Sequence, residues 1–262
     1  MKTLGIIGFG TMGEAFARGL RRTMPDLALT AFDVKSARVE GAGQALGVRP
    51  ARSSAEVFDT SDLAILCVKP QDLAALAAEV RSHSRGKRVV SILAGKRIQS
   101  ISEGLATDNV ARFMPNIAAT TGKSLVGVSF GPAVDAGFKA DCLALAGALG
   151  KPLEIPEKLM SAMTGVSGSG IAYVLAFVHA MALGGVAAGF DYPTALAIAA
   201  AGLESAASLL VPGAHPLELA SRVASPAGTT IQGMRALEKG GFTAAVMDAV
   251  EAAARRATEL ET

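Results

Sequence analysis

The sequence has no run of basic residues and no interleaving of aromatic with basic side chains. With 25 Lys and Arg against 23 Asp and Glu, the formal charge is only +2. Nucleic acid is therefore not expected as a partner. Cysteine is scarce: Cys67 and Cys142 allow one bridge at most. Cys67 lies in an apolar run where a buried free thiol is expected, and a reducing, cytoplasmic compartment follows. His83, His179 and His215 are scattered without ligand spacing, so no metal site is expected. A Gly-x-Ser-x-Gly nucleophile elbow is also missing. Only a single Lys precedes Leu4-Gly5-Ile6-Ile7-Gly8, too little for a signal peptide.

Apolar residues are plentiful. Half of the 262 residues are hydrophobic and only 18% are charged. That suffices for a sizeable core in one large or two modest domains. The abundance of Ala and Gly suggests closely packed helices and surface hidden in an oligomer. Residues 170–190 are almost wholly apolar and about long enough to span a bilayer. They include His179, Gly170, Gly184, Gly185 and Gly189, and another Ala-rich helix follows rather than basic flanks. A helix buried in a domain or dimer core is expected instead of a membrane span, with His179 packed in that core.

The first half alternates short apolar runs with helical stretches. Strands are expected over 3–7, 28–32, 63–68, 88–93, 110–113 and 125–130, with a last one over 152–155. Helices are expected over 12–22, 36–46, 71–82 and 98–105, and after Pro132 over 133–149. This pattern predicts βαβ units and a parallel sheet. From Pro156 onward only helices are expected, over 157–164, 170–189, 193–209, 216–222, 226–238 and 243–260. Pro193 and Pro226 fit first-turn positions, and Gly240-Gly241 fits a helix stop. A Rossmann-like α/β domain over 1–155 and an all-α domain over 156–262 are the expectation.

Gly8, Gly10 and Gly13 form a complete G-x-G-x-x-G between a strand and a helix. The first glycine permits the turn, the second admits a pyrophosphate, and the third packs helix against strand. Amides at the helix start would face the phosphates. Asp33, 20 residues after Gly13 at the end of the second strand, supplies a carboxylate for the ribose hydroxyls of NAD. Lys35 and Arg38 could instead meet a 2′-phosphate, so NAD(H) is favoured over NADP(H) only slightly. Three further strand ends carry Val68-Lys69-Pro70, Ala94-Gly95 and Met114-Pro115-Asn116. They belong to the carboxyl rim where open α/β sheets bind ligands. Lys69 reads either as a ligand contact or as a surface lysine. Asn116 reads either as a nicotinamide or substrate contact or as a turn residue.

In the second half, Ser167-Gly168-Ser169-Gly170 and Ser225-Pro-Ala-Gly-Thr-Thr230 read equally as caps or as anion-binding turns. Ser225 before Pro226 is a good N-cap, and Gly228, Thr229 and Thr230 offer amides and hydroxyls to a carboxylate.

Together these motifs resemble the pyrroline-5-carboxylate reductase family over nearly the whole chain. The matching segments are Gly8-Phe-Gly-Thr-Met-Gly13, Val68-Lys-Pro-Gln71, Met114-Pro-Asn116, Ser167-Gly-Ser-Gly170, Ser225-Pro-Ala-Gly-Thr-Thr230 and Gly240-Gly-Phe242. The resemblance implies hydride transfer from NAD(P)H to a cyclic imino acid, yielding proline. It also implies a helical domain that interlocks two subunits, so at least a homodimer, with active sites between cofactor and helical domains. By motif, Ile7, Gly8, Phe9, Gly10, Thr11, Met12 and Gly13 would hold the pyrophosphate. Val68, Lys69 and Pro70 would line the cofactor site, with Ala94 and Asn116 near the nicotinamide. Ser225, Gly228, Thr229 and Thr230 would grip the substrate carboxylate, with Ser167 nearby and Thr230 approaching the ring nitrogen. Ile171, Ala227 and Asp33-Val34 depart from the family's usual Pro, Gly and Asn-Arg. The alternatives are a related cyclic-imine reductase, a 3-hydroxyacid-dehydrogenase-like enzyme, or a dinucleotide sensor. The second usually needs a lysine donor, and the helical half has only Lys158 and Lys239.

Overall fold

A computed structural model describes residues 1–261. The chain divides into two compact units, residues 1–168 with the stretch from Ala252 onward, and Ser169–Glu251. The first unit therefore extends past the expected boundary at 155 and takes in the end of the chain as well.

The first unit is an eight-stranded sheet in the order β3-β2-β1-β4-β5-β6-β7-β8. Its strands are β1 (Thr3–Ile7), β2 (Ala28–Phe32), β3 (Val48–Pro50), β4 (Leu63–Leu66), β5 (Arg88–Ser91), β6 (Val110–Met114), β7 (Ser124–Phe130) and β8 (Gly150–Glu154). The first six are mutually parallel. β7 runs antiparallel to β6, and β8 is parallel to β7, so the expected all-parallel sheet has a reversed edge. The helices are α1 (Thr11–Thr23), α2 (Ser36–Leu46), α3 (Ser54–Thr60), α4 (Leu73–Val80), α5 (Ile98–Leu105) and α6 (Ala136–Leu149).

Alternate residues of each strand feed different cores. Leu4, Ile6, Leu63, Ile65 and Val90 face a cluster with Phe16 and Leu20 of α1 and Cys142 and Leu145 of α6. Ile7, Ala64, Leu66 and Val89 face a second cluster with Val57, Leu76 and Ile101. Each large aliphatic side chain so buried contributes roughly 1.5–3 kcal/mol. A sheet covered on both faces reads as continuous apolar runs rather than as alternation.

Two elements escaped the sequence reading. β3 has three residues, too few to show a period. α3 is a seven-residue helix capped by Ser53, whose side chain accepts from the Glu56 amide at 3.1 Å. The spacing Ser53-x-x-Glu56 is a legible capping signal. Two expected helix starts also fail. Asp135, not Pro132, starts α6, its Oδ1 accepting from the Phe138 amide at 2.6 Å. The helix expected from Gly170 does start there, but no side chain caps it. Thr164–Gly168 is a π-helical turn, and helical turns run from Glu157 to Ala187 through α7 (Met160–Met163) and α8 (Gly170–Ala187).

The second unit holds α8, α9 (Tyr192–Ser208), α10 (Pro216–Val223), α11 (Thr229–Lys239) and most of α12 (Phe242–Glu259). The second such failure lies at α11, which begins after Gly228, so Ser225 is not its N-cap and Pro226 is not in its first turn. Ala227 between them has φ 59°, left-handed, which no helix tolerates. Pro193 does sit in the first turn of α9, behind the Asp191 cap. Gly240 closes α11. Within one chain α8 is largely uncovered: Leu175, Met181 and Leu183 are exposed. His179 is exposed in the single chain too, so no core of its own unit packs it, and its Nδ1 meets the Tyr192 hydroxyl at 2.9 Å.

Candidate active site

The loop from β1 to α1 is shaped by its glycines. Gly8 has φ 92°, and a Cβ there would strike the Cys67 carbonyl at 2.7 Å. Its amide donates to the Phe32 carbonyl at 2.8 Å. A Cβ on Gly13 would collide with the Gly8 carbonyl, so this glycine sets the closeness of α1 to β1. Gly10 differs, because a Cβ there would find only an Arg38 guanidinium nitrogen, 4.0 Å away. Gly10 is the N-cap of α1, and no side chain caps the helix. The first-turn amides of Thr11 and Met12 are thus left for a ligand. A cavity of about 420 Å³ opens beside them, lined by Phe9, Thr11, Glu14, Arg18, Arg38 and Thr120. Glu14 would repel a phosphate there, but Arg18 pairs with it at 2.6 Å.

Asp33 is buried, and its carboxylate already has protein partners. Oδ2 accepts from the Phe9 amide at 2.7 Å, and Oδ1 from the Lys35 amide at 2.8 Å. The Arg38 guanidinium lies 3.3 Å away. Asp33 therefore fixes the glycine loop to the end of β2, and it brings a cation with it.

The remaining strand ends lie on the same rim. Val68 is partly buried, Lys69 is exposed, and Pro70 starts a short 3-10 turn to Asp72. Ala94 is exposed after β5, next to Gly95 at φ 70°. Asn116 is engaged at both ends of its side chain. Oδ1 accepts from the Ala118 amide at 3.1 Å, and Nδ2 donates to the carbonyl and hydroxyl of Ser167, both at 3.2 Å. It ties β6 to the π-turn. π-turns recur at functional sites, and the one here had no signal in the periodicity beyond its dense glycines.

In the second unit, Ser225 and Gly228 close a turn, the Gly228 amide donating to the Ser225 carbonyl at 3.0 Å. A Cβ on Gly228 would collide with the Ser225 hydroxyl. Thr229 and Thr230 open α11, and no side chain caps it. Among the described residues, no protein group bonds the hydroxyls of Ser225, Thr229 or Thr230. The turn thus offers three hydroxyls and the uncapped amides of an eleven-residue helix, a donor set suited to a carboxylate.

Burial raises the thiols of Cys67 and Cys142 well above their ordinary range, so both stay protonated at neutral pH. Both are free. Among the described residues no group of His, Cys, Asp and Glu could hold a metal ion.

The family model described as pyrroline-5-carboxylate reductase dimerisation matches residues 157–260. A second, described as NADP oxidoreductase coenzyme F420-dependent, matches residues 3–95. The chain is 38% identical to pyrroline-5-carboxylate reductase of Methanosarcina acetivorans, over 98% of this chain and 97% of that protein. The chain belongs to the pyrroline-5-carboxylate reductase family. Among solved structures, the reductase of Streptococcus pyogenes is similar at 29% identity and a TM-score of 0.89, covering 98% of both chains. That of Plasmodium falciparum with NADP bound shares the fold at 24% identity and a TM-score of 0.88, covering 99% of this chain and 98% of that one.

Proposed function

We infer that this reductase-family chain converts 1-pyrroline-5-carboxylate to L-proline with NAD(P)H. The observation that carries the inference is the end-to-end match to a pyrroline-5-carboxylate reductase. The uncapped glycine loop agrees with it, because an open Gly10 beside free amides fits a pyrophosphate. A bound NAD(P)H would supply a hydride to the imine carbon of a substrate whose ring nitrogen takes its proton from solvent beforehand or concurrently. The protein's contribution is positioning and charge. Ile7 to Gly13 hold the phosphates, while Val68, Lys69, Pro70, Ala94 and Asn116 shape the rim. Ser225, Gly228, Thr229 and Thr230 bind the substrate carboxylate, Thr230 also holds the ring nitrogen, and Ser167 lies close to the substrate.

At the ribose, the Asp33 carboxylate favours NAD(H), but Arg38 offsets part of that charge, so the preference is narrow and NADPH is also accepted. The exposed apolar helices of the second unit are covered by another copy, making at least a homodimer. The compartment is the reducing cytoplasm, consistent with two free thiols. A steady-state assay with pyrroline-5-carboxylate, comparing NADH with NADPH, tests the reading. Turnover with either supports it. Cofactor binding without turnover would replace it with a sensor.

A further inference from the structure

Arg112, in the middle of β6, is the largest fully buried side chain of the first unit. A buried guanidinium is costly unless paired. Its Nη1 lies 2.9 Å from Glu261 Oε1 and 3.4 Å from Glu157 Oε1. Glu261 Oε2 in turn lies 3.2 Å from Arg97 Nε. Glu157 Oε1 also accepts from the Ile98 amide at 2.7 Å, capping α5 where Arg97 offers no side-chain cap. Two arginines and two glutamates thus form a neutral cluster beneath one loop, the Ala94–Arg97 connection from β5 to α5. Leu260 closes over the same loop. A Cβ on Gly95 would lie 2.7 Å from the Leu260 carbonyl oxygen and 2.8 Å from its Cβ.

The place of this loop in the sheet gives it a role. A dinucleotide crosses the point where strand order reverses, here between β1 and β4. With the pyrophosphate on the β1 loop and the adenosine ribose at the end of β2, the nicotinamide half falls over the ends of β4, β5 and β6. Ala94 is exposed on that rim.

We propose that Glu261, with Leu260, is a positioning residue: its ion pairs to Arg112 and Arg97 hold the Ala94–Arg97 loop against the nicotinamide half of the cofactor. The proposal rests on the dinucleotide reading above. Burial works to raise the Glu261 pKa, but hydrogen bonds and charges from Arg112 and Arg97 outweigh it, and the carboxylate is held below the usual range. It is therefore ionised at any pH where the enzyme would be assayed.

The test compares NADH with ADP, which lacks the whole nicotinamide-riboside half, binding to wild type, Glu261→Gln and Arg97→Gln. Glu261→Gln is expected to weaken NADH about fivefold or more while leaving ADP unchanged. Arg97→Gln should do the same to a smaller degree. Arg97 is exposed and its loss leaves Arg112 and Glu261 still paired, so that variant decides the matter if Glu261→Gln fails to fold. A melting temperature that falls while both ligands bind as before, or both weaken equally, overturns the positioning role. A wild type that binds neither ligand overturns the dinucleotide reading itself.

Discussion

Asp33 shows how one residue can fit its motif and do structural work as well. The fingerprint assigns its carboxylate to the ribose, yet both oxygens accept backbone amides that brace the glycine loop. Replacing it would leave the buried amide of Phe9 short of an acceptor, at a cost of roughly 1–3 kcal/mol. The cleaner probe is Arg38, which is half exposed. Arg38→Ala should raise KM for NADPH several-fold more than KM for NADH, because only NADPH brings a dianionic phosphate to that corner. Equal KM changes for the two cofactors would remove Arg38 from cofactor choice. At the substrate turn, Thr230→Ala should lower kcat by about tenfold or more with the fold intact, given an unpartnered hydroxyl. An unchanged kcat would take Thr230 out of the mechanism.

At the scale of elements, the glycine loop separates folding from binding. A methyl group at Gly13 must push α1 off β1, so Gly13→Ala should lower both stability and cofactor affinity. Gly10 has an ordinary φ of −83° and open space above it. Gly10→Ala should therefore leave the melting temperature within about 2 °C of wild type. It should also raise the dinucleotide KM about tenfold, since the added methyl occupies the phosphate approach. A normal KM in Gly10→Ala would mean that the phosphates lie elsewhere.

The same scale explains what was legible in the sequence. β1, β2, α2 and α5 match their expected limits because each apolar run is bounded by turn residues. The glycine loop, Asp33 and the rim residues were legible because the strand–turn–helix order fixes them. The partners of Asp33 and Asn116 were not, since they are separated in sequence by 24 and 51 residues. The start of α11 was missed because nothing local announces that Ala227 takes a left-handed conformation. The ion cluster around Arg112 was invisible for a similar reason, since it joins β6 to Glu261.

At the scale of the whole molecule, the second unit cannot be the end of the story in water. Leu175, Met181 and Leu183 on α8 and Leu196 and Ile198 on α9 are all exposed in the single chain. The stretch Glu157–Ala187 is long and apolar enough to cross a membrane, and little of it is covered. Continuous apolar surface of this kind is normally buried by a partner or a bilayer. The match of residues 157–260 to a dimerisation family favours a second copy. An obligate interface would bury about 2,000 Å² or more. Sedimentation without detergent should then show a dimer or larger assembly, with a melting temperature that rises with protein concentration. Ile198→Glu would place an unpaired charge in such an interface, at several kcal/mol, and should shift the population toward monomer by at least about 100-fold in Kd. A wild type that sediments as a monomer at micromolar concentration, or that requires detergent to leave the membrane fraction, would refute the second copy as the cover for these helices.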